Sequence, residues 1–147
     1  MTLTFFFSDL EDSSGLADRL GAGYTAVLSE ARELQRSAVR DTGGREVDCR
    51  GDELFNVFDE PAHAAAAALE IQRAFMAHAW PVAERVRVRI GLHCGEAQPA
   101  GAGFVGLDVH LASRICQAAH GGQILASEEA AGGVGVTVQE QIGRAHV

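Results

Sequence analysis

The sequence is poor in cysteine and in long apolar runs. Its three cysteines, Cys49, Cys94 and Cys116, are odd in number and form no C-x-x-C pair, so neither a disulfide framework nor a zinc site is indicated. No apolar run approaches the roughly 20 residues of a membrane-spanning helix. The N-terminus also lacks the basic segment of a signal peptide. We therefore expect a cytoplasmic protein that does not enter a membrane.

Positive charge is scarce as well. With 12 Lys and Arg against 20 Asp and Glu, the net charge is −8, which argues against a nucleic-acid partner. A small phosphorylated ligand with bound cations remains compatible with this charge.

The length of 147 residues suits one domain. The last residues, "QIGRAHV", resemble the translation of a sequencing-library adapter. We therefore expect a domain over 1–140 that lacks its C-terminal end, followed by a non-native tail over 141–147.

Hydrophobic periodicity divides the chain into alternating strands and helices. Apolar runs and period-two alternation predict strands, and apolar residues three or four positions apart predict helices. The predicted strands are Thr2–Ser8, Arg45–Arg50, Leu54–Phe58, a strand through Val86 to Leu92, "GGQILAS" and a strand over 134–138; the predicted helices run through Val27 to Ala38, from Pro61, and over Leu107–Ala119. This order predicts an α+β fold, with a ferredoxin-like antiparallel sheet that carries helices on one face.

Two aspartates are candidate metal ligands. Asp9 ends the first strand, and Asp52 lies at the Gly51-Asp52 turn of the predicted hairpin. Mg²⁺ prefers oxygen ligands and often binds through one or two carboxylates plus substrate phosphates. The alternative is that Asp9 caps the next helix and Asp52 is only a turn residue.

The loop after Asp9 is a candidate phosphate site. Its backbone N–H groups and the following helix N-terminus could contact a phosphate chain. The residues concerned are Glu11, Asp12, Ser13 and Ser14, of which the two serines are equally explained as helix N-caps.

A polar stripe marks the helix predicted over Leu107–Ala119. His110, Arg114 and Gln117 lie at i, i+4 and i+7 on this mostly apolar helix. A guanidinium such as that of Arg114 suits a transferring phosphoryl group, whereas a solvated helix face is the alternative.

Taken together, these segments resemble the catalytic domain of class III nucleotidyl cyclases, the adenylate and guanylate cyclase family. The resemblance covers most of Thr2 to Ser127 in the family's order and includes features of a recurring bacterial variant. The matching segments are "FFFSDLEDSSGLADRLG", "REVDCRGDELFNVFDEPAHAAAAALEIQRAF", "VRVRIGLHCGEA" and "GFVGLDVHLASRICQAAHGGQILAS".

The resemblance implies that a ribose 3′-hydroxyl attacks the α-phosphate of its own nucleoside triphosphate. Asp9 and Asp52, assisted by the Leu10 carbonyl, would hold two Mg²⁺ or Mn²⁺ ions per site. Arg114 would stabilise charge at the α-phosphate. In the family, a head-to-tail homodimer places the aspartates of one subunit opposite the arginine helix of the other.

The base-reading positions depart from the adenylate cyclase pattern. Asp48 stands where the family's adenine-reading lysine is found, and a carboxylate can accept hydrogen bonds from guanine. Gly103, at the second base-reading position, offers no side chain. GTP is therefore favoured over ATP, although the base choice stays open.

Other departures favour an alternative function. His110 replaces the family's transition-state asparagine, and Asp12 replaces a glycine, which adds negative charge near the phosphates. The missing C-terminal end would remove a phosphate-contacting lysine. A catalytically silent nucleotide-binding or dimerisation module is therefore the second hypothesis. A diguanylate cyclase, suggested by "RGDELF", ranks below both because the surrounding segments match class III enzymes.

Overall fold

The computed structural model describes residues 2–133 and 142–145. The elements in chain order are β1 (Thr2–Leu10), α1 (Ser13–Leu20), a 3₁₀ turn (Gly21–Gly23), α2 (Tyr24–Asp41), β2 (Arg45–Arg50), β3 (Glu53–Phe58), α3 (Pro61–Ala77), β4 (Val88–Glu96), β5 (Gln98–Ala100), β6 (Gly103–Val105), α4 (Leu107–Ala118), β7 (Ile124–Ser127), α5 (Glu128–Ala131) and β8 (Gly143–Ala145). The strand predicted over 134–138 lies outside the described residues. No helix in the described ranges is both long and apolar enough to cross a bilayer.

The main sheet has six strands in the order β2-β3-β1-β4-β7-β8. Its central strand, β1, pairs antiparallel with β3 and with β4, whereas β7 pairs parallel with β4 and with β8. The predicted α+β class with a ferredoxin-like, mostly antiparallel sheet is confirmed.

Helices cover both faces of this sheet, which corrects the expectation of one covered face. Phe6 and Leu10 of β1 pack in the core that contains α2, α3 and α5. Phe5 and Phe7 point to the opposite face and pack in the core that contains α4. The reason lies in the continuous apolar run of β1, because a strand buried on both faces needs cover on both sides.

Glycine at position 91 brings α4 directly onto β4. A Cβ atom at Gly91 would overlap the backbone of Cys116 in α4, so only glycine permits this approach. The backbone of α4 is thereby fixed against the sheet near the end of β1.

Part of the segment that the sequence reasoning set aside belongs to the sheet. Gly143–Ala145 forms β8 beside β7, and Ile142 is buried in the core. The proposal that 141–147 is a non-native tail stays a prediction.

Candidate functional site

The turn between β2 and β3 lies beside the end of β1. Gly51 adopts a left-handed φ of 58°, which suits the tight turn, and Ser8 of β1 pairs with Leu54 of β3. The Leu10 backbone N–H donates to Asp52 Oδ2 at 2.9 Å. The Asp52 carboxylate therefore lies next to the residue that follows Asp9. We call Asp9, Leu10 and Asp52, the ligands predicted from the sequence, the metal-side residues.

Asp9 carries an ion pair that the sequence reasoning missed. Arg89 donates from Nε to Asp9 Oδ1 and from Nη2 to Asp9 Oδ2, both at 2.6 Å. This hydrogen bond to Asp9 raises the pKa of Arg89. The sequence showed Arg89 only as one polar member of an alternating strand. The pairing of β1 with β4, which sets Asp9 directly opposite Arg89, makes the contact possible.

Negative charge is concentrated around the metal-side residues. The pKa of Glu53, at the start of β3, is raised first by burial and then by repulsion from Asp9, with smaller contributions from Asp52 and Asp48. Over 2–133 and 142–145, no three His, Cys, Asp or Glu side chains are grouped as ligands of one metal ion.

The metal-side residues offer the kinds of ligand atom that a divalent cation binds. Two carboxylates and a backbone carbonyl are oxygen ligands of the kind that Mg²⁺ uses with substrate phosphates. A cation, the Arg89 guanidinium, already pairs with Asp9 here. A metal ion at Asp9 would compete with this guanidinium for the carboxylate.

The predicted phosphate loop is partly occupied by its own side chains. The Glu11 side chain contacts Gly121, which follows α4 in the chain. Its Oε2 accepts a hydrogen bond from the Gly121 N–H at 2.5 Å. Asp12 is the N-cap residue and has a φ of 51°. Its Oδ1 would lie 2.6 Å from a Cβ at Gly15 in the first turn of α1, and Oδ2 pairs with Arg19 at 3.3 Å.

The position of Asp12 decides whether either serine is the N-cap of α1. Ser13 and Ser14 are the first residues of α1, so Asp12 rather than either serine holds the N-cap position. The α1 N-terminus therefore faces a carboxylate of its own chain.

A cavity of about 330 Å³ lies between β2 and α4, and we call it the β2–α4 cavity. Its lining combines aromatic and aliphatic residues with acidic, basic and hydroxyl groups. Among the aromatic residues, Phe7 stacks on Phe55 with ring centroids 4.3 Å apart. It is lined by Phe7, Asp48, Arg50, Glu53, Phe55, Phe104, Val105, Gly106, Val109, His110 and Ser113.

The predicted base-reading residues lie at or beside this cavity. A bulge between Glu46 and Asp48 interrupts the pairing of β2 with β3 and so changes the direction of the Asp48 side chain. Asp48 Oδ2 accepts from Arg50 Nε at 2.8 Å. A Cβ at Gly103 would lie 3.4 Å from Val47 Cγ1, so Gly103 is next to the bulge. The short β5–β6 hairpin that positions it was not predicted.

The polar stripe of α4 is exposed, as its pattern indicated. His110 lines the β2–α4 cavity, while Arg114 and Gln117 lie further along the same helix. The stripe therefore belongs to the outer face of α4, opposite the face that packs on the sheet.

A buried hydrogen-bond chain anchors the start of this helix. His93 of β4 pairs through Nε2 with Asp108 Oδ1 at 3.0 Å and through Nδ1 with Ser127 Oγ at 2.7 Å. Ser127 also accepts from the Ala130 N–H at 3.3 Å. Because an ionised carboxylate oxygen only accepts, Nε2 is the donor in the bond to Asp108. No pattern in the sequence pointed to partners for His93.

Comparison with known proteins identifies the family of this chain. The chain matches the family described as the adenylate and guanylate cyclase catalytic domain over residues 1–140. It is 32% identical over 128 residues to an uncharacterized protein of Mycobacterium tuberculosis, with 86% of this chain and 42% of that protein covered. The chain thus spans about two fifths of the length of the curated relatives that it matches.

Solved structures agree in fold. Adenylate cyclases from Trypanosoma brucei in their monomeric state superpose with a TM-score of 0.86 at 20% identity, covering 95% of this chain and 79% of theirs. The guanylate cyclase domain of RhGC from Catenaria anguillulae, in complex with GTP, superposes with a TM-score of 0.77 at 24% identity, covering 88% and 79%. With its sequence matched over residues 1–140 and its sheet and helices arranged as in these structures, the chain belongs to the adenylate and guanylate cyclase catalytic domain family.

Proposed function

We propose that this chain is a nucleotidyl cyclase of intracellular signal transduction, which converts a nucleoside triphosphate to a 3′,5′-cyclic nucleotide and pyrophosphate. Its site would form between the two chains of a head-to-tail homodimer and use two Mg²⁺ or Mn²⁺ ions. The observation that carries the proposal is the bond from the Leu10 N–H to Asp52, which holds the Asp52 carboxylate beside Asp9. Such a pair of carboxylates is suited to cations that also bind substrate phosphates.

In the proposed reaction, the bond from the ribose O3′ to the α-phosphorus forms. The bond from that phosphorus to the oxygen that bridges the α- and β-phosphates breaks, the hydroxyl proton passes to solvent water, and pyrophosphate leaves with the bridging oxygen. Asp9, Asp52 and the Leu10 carbonyl would hold the cations. When bound, the cations would lower the pKa of the attacking hydroxyl and neutralise the leaving oxygens.

The residues of α4 would act on the transferring phosphoryl group. Arg114 would donate N–H bonds to the nonbridging oxygens of the α-phosphate, where charge builds up, and His110 would supply a further donor. Both side chains lie on an exposed helix face beside Leu107, which is 73% exposed. A partner subunit that supplies the metal side would give this face its function.

The β2–α4 cavity is the candidate base site. Its phenylalanine side chains suit a purine ring, and Asp48, which also lines it, can accept hydrogen bonds from the N1–H and N2–H₂ groups of guanine. The relative from Catenaria anguillulae is in complex with GTP. We therefore propose GTP ahead of ATP as the substrate.

A catalytically silent nucleotide-binding or dimerisation module is the second candidate. The Asp12 carboxylate beside the first turn of α1 specifically favours it, because that carboxylate would repel a triphosphate at this helix end. The replacement of the family's asparagine by His110 supports the same alternative.

The experiment that separates the two functions is a turnover assay with Mn²⁺ and each of the four ribonucleoside triphosphates. We expect a cyclic product from GTP, and we expect Asp52→Asn to lower its rate by at least about 100-fold, because the variant removes a charged metal ligand. Asp59→Asn is the matched control. It changes an exposed aspartate beyond the far end of β3 and should leave the rate unaltered.

The outcomes divide cleanly. Product that disappears in Asp52→Asn and persists in Asp59→Asn supports the enzyme. No product from any triphosphate, with a dimer in analytical ultracentrifugation, would instead support the silent module.

A further inference from the structure

Arg89 and Asp9 form an ion pair that is built into the sheet. They are directly opposite each other on the antiparallel pair β1 and β4. Two parallel N–H···O hydrogen bonds, each with a nitrogen-to-oxygen distance of 2.6 Å, join the guanidinium to both carboxylate oxygens. The Asp9 side chain is only 14% exposed and that of Arg89 only 25%, so water screens this pair less than it screens the surface pairs.

A third bond ties the same guanidinium to α4. Arg89 Nη1 donates to the backbone carbonyl of Gln117 at 3.2 Å, in the last turn of that helix. The close approach of Cys116 to Gly91 keeps this turn against β4. Arg89 therefore bridges the metal side and the helix that carries Arg114.

The guanidinium and a divalent cation cannot use Asp9 in the same way at once. Bidentate pairing takes up one lone pair on each carboxylate oxygen, so a metal ion that binds Asp9 has to share the carboxylate with the guanidinium or take its place. The two positive charges would also repel each other at this range. Arginine does not lose its proton in proteins, so this repulsion is permanent and favours movement of the guanidinium away from Asp9 when a cation binds.

We propose that Arg89 is an internal counter-cation which competes with divalent cations for Asp9 and thereby sets the metal affinity of the site. The inference rests on the proposed function, since it assigns Asp9 to the metal site. Its consequence is that metal binding and the Arg89–Gln117 bond are linked. A cation that displaces Arg89 from Asp9 frees the guanidinium to move away from the end of α4.

The test is a direct titration of Mn²⁺ binding by electron paramagnetic resonance, without nucleotide. We expect Arg89→Gln to bind Mn²⁺ about tenfold more tightly than the unchanged chain, because loss of a charge-assisted competitor is worth roughly a factor of ten. The matched control is Arg85→Gln, which changes an exposed arginine in the segment that leads into β4 and should leave the affinity unchanged. Equal or weaker Mn²⁺ binding by Arg89→Gln would overturn the proposal.

A second variant guards against misfolding. Arg89→Lys keeps the positive charge but cannot form the bidentate pair, so we expect a Mn²⁺ affinity between those of the unchanged chain and Arg89→Gln. The rise in Tm at a fixed concentration of Mn²⁺ should follow the same order, since a ligand that binds the native state more tightly stabilises it more. Any other order counts against competition.

Asp52→Asn separates the failure of this inference from failure of the proposed function. If Mn²⁺ binding depends on Asp52 but not on Arg89, the metal site stands and the competition falls. If Mn²⁺ binding is insensitive to Asp52→Asn and to Asp9→Asn, or is absent from every variant at millimolar concentration, the metal site falls and the inference falls with it. Binding by Arg89→Gln alone would support the competition.

Discussion

The two halves of the candidate site differ in how far the single chain completes them. At the metal side, Asp9 and Asp52 are held by the Arg89 pair and the Leu10 N–H, at the junction of three strands. On α4, the polar stripe faces outward, although the opposite face of the helix is firmly packed on β4.

This difference shows that a residue can be held in a fixed position although the site to which it belongs is not complete within one chain. The backbone of α4 is fixed by Gly91 on the sheet and by the His93–Asp108 contact near its start. Arg114 is nonetheless exposed, so a rigid helix presents a group whose proposed target lies on another molecule. The metal side is ordered by charges of its own chain, one of which, Arg89, pairs with a carboxylate proposed to hold a cation.

Mixing two inactive variants is the strongest way to break this comparison. We expect Asp52→Asn and Arg114→Ala each to lose at least about 100-fold in turnover, since each removes a charged group that acts in the transition state. An equimolar mixture of the two should regain about a quarter of the original rate, because half of the dimers are mixed and each has one intact site. Steady-state formation of cyclic product measures this.

Its control combines two variants from the same half. Asp52→Asn mixed with Asp9→Asn should stay inactive, since every site in the mixed dimer lacks a metal ligand. If the first mixture also stays inactive while dimers form, the two halves act within one chain and the contrast between them is lost.

A moderate effect should come from the buried chain that anchors α4. Ser127→Ala leaves His93 Nδ1 without its hydroxyl partner inside the protein, which should lower the free energy of unfolding by about 1–3 kcal/mol. Urea denaturation followed by circular dichroism measures it. Ser113→Ala, a half-buried serine on α4, should change the free energy of unfolding by no more than about 0.5 kcal/mol. Equal effects of the two variants would show that the hydrogen bonds of His93 do not anchor the helix.

The smallest effect concerns thiol reactivity. It compares Cys49 of the β2–β3 hairpin with Cys116 of α4 and needs no substitution. All three cysteines are free, with Cys49 partly exposed on β2 and Cys116 buried on α4. Burial raises the pKa of Cys116 and also that of Cys94, so less of the reactive thiolate is present at neutral pH. Each unit of a raised pKa lowers the thiolate fraction about tenfold.

We therefore expect iodoacetamide at pH 8 to label Cys49 first and Cys116 last. Protection of Cys116 should weaken as the pH rises towards its pKa, because the thiolate fraction then grows. Mass spectrometry of labelled peptides measures the rates, and denatured protein, in which all three should react alike, is the control. Early labelling of Cys116 would mean that α4 is not firmly packed on β4.

Much of the fold could be predicted because its signals are local. The apolar run of β1, the period-two alternation near Val88 and the Gly51-Asp52 turn each depend on a few consecutive residues, and each predicted element is present. The bounds differ, since β1 extends to Leu10 and β4 covers Val88–Glu96 where the prediction ran through Val86 to Leu92. The β5–β6 hairpin escaped prediction because strands of three residues give too short a pattern. The placement of α4 on the second face also escaped it, although the two-sided burial of β1 was a signal for it.

For the candidate site, residue types were readable and residue partners were not. Asp9, Asp52 and Arg114 stood out by chemistry and position. Arg89 did not, because its importance comes from a partner 80 positions away in the chain. His93 was missed for the same reason, since both of its partners are distant in sequence and reach it only through the sheet.

The sequence by itself determined the order of strands and helices, the acidic turn and the polar stripe, because backbone propensity and side-chain periodicity act over a few residues. Only the tertiary structure decided which charges meet. Strand register placed Arg89 on Asp9, and the helix start placed Asp12 against Gly15. Electrostatic pairing depends on distances of a few ångströms between groups far apart in the chain, and these distances exist only after the sheet has formed.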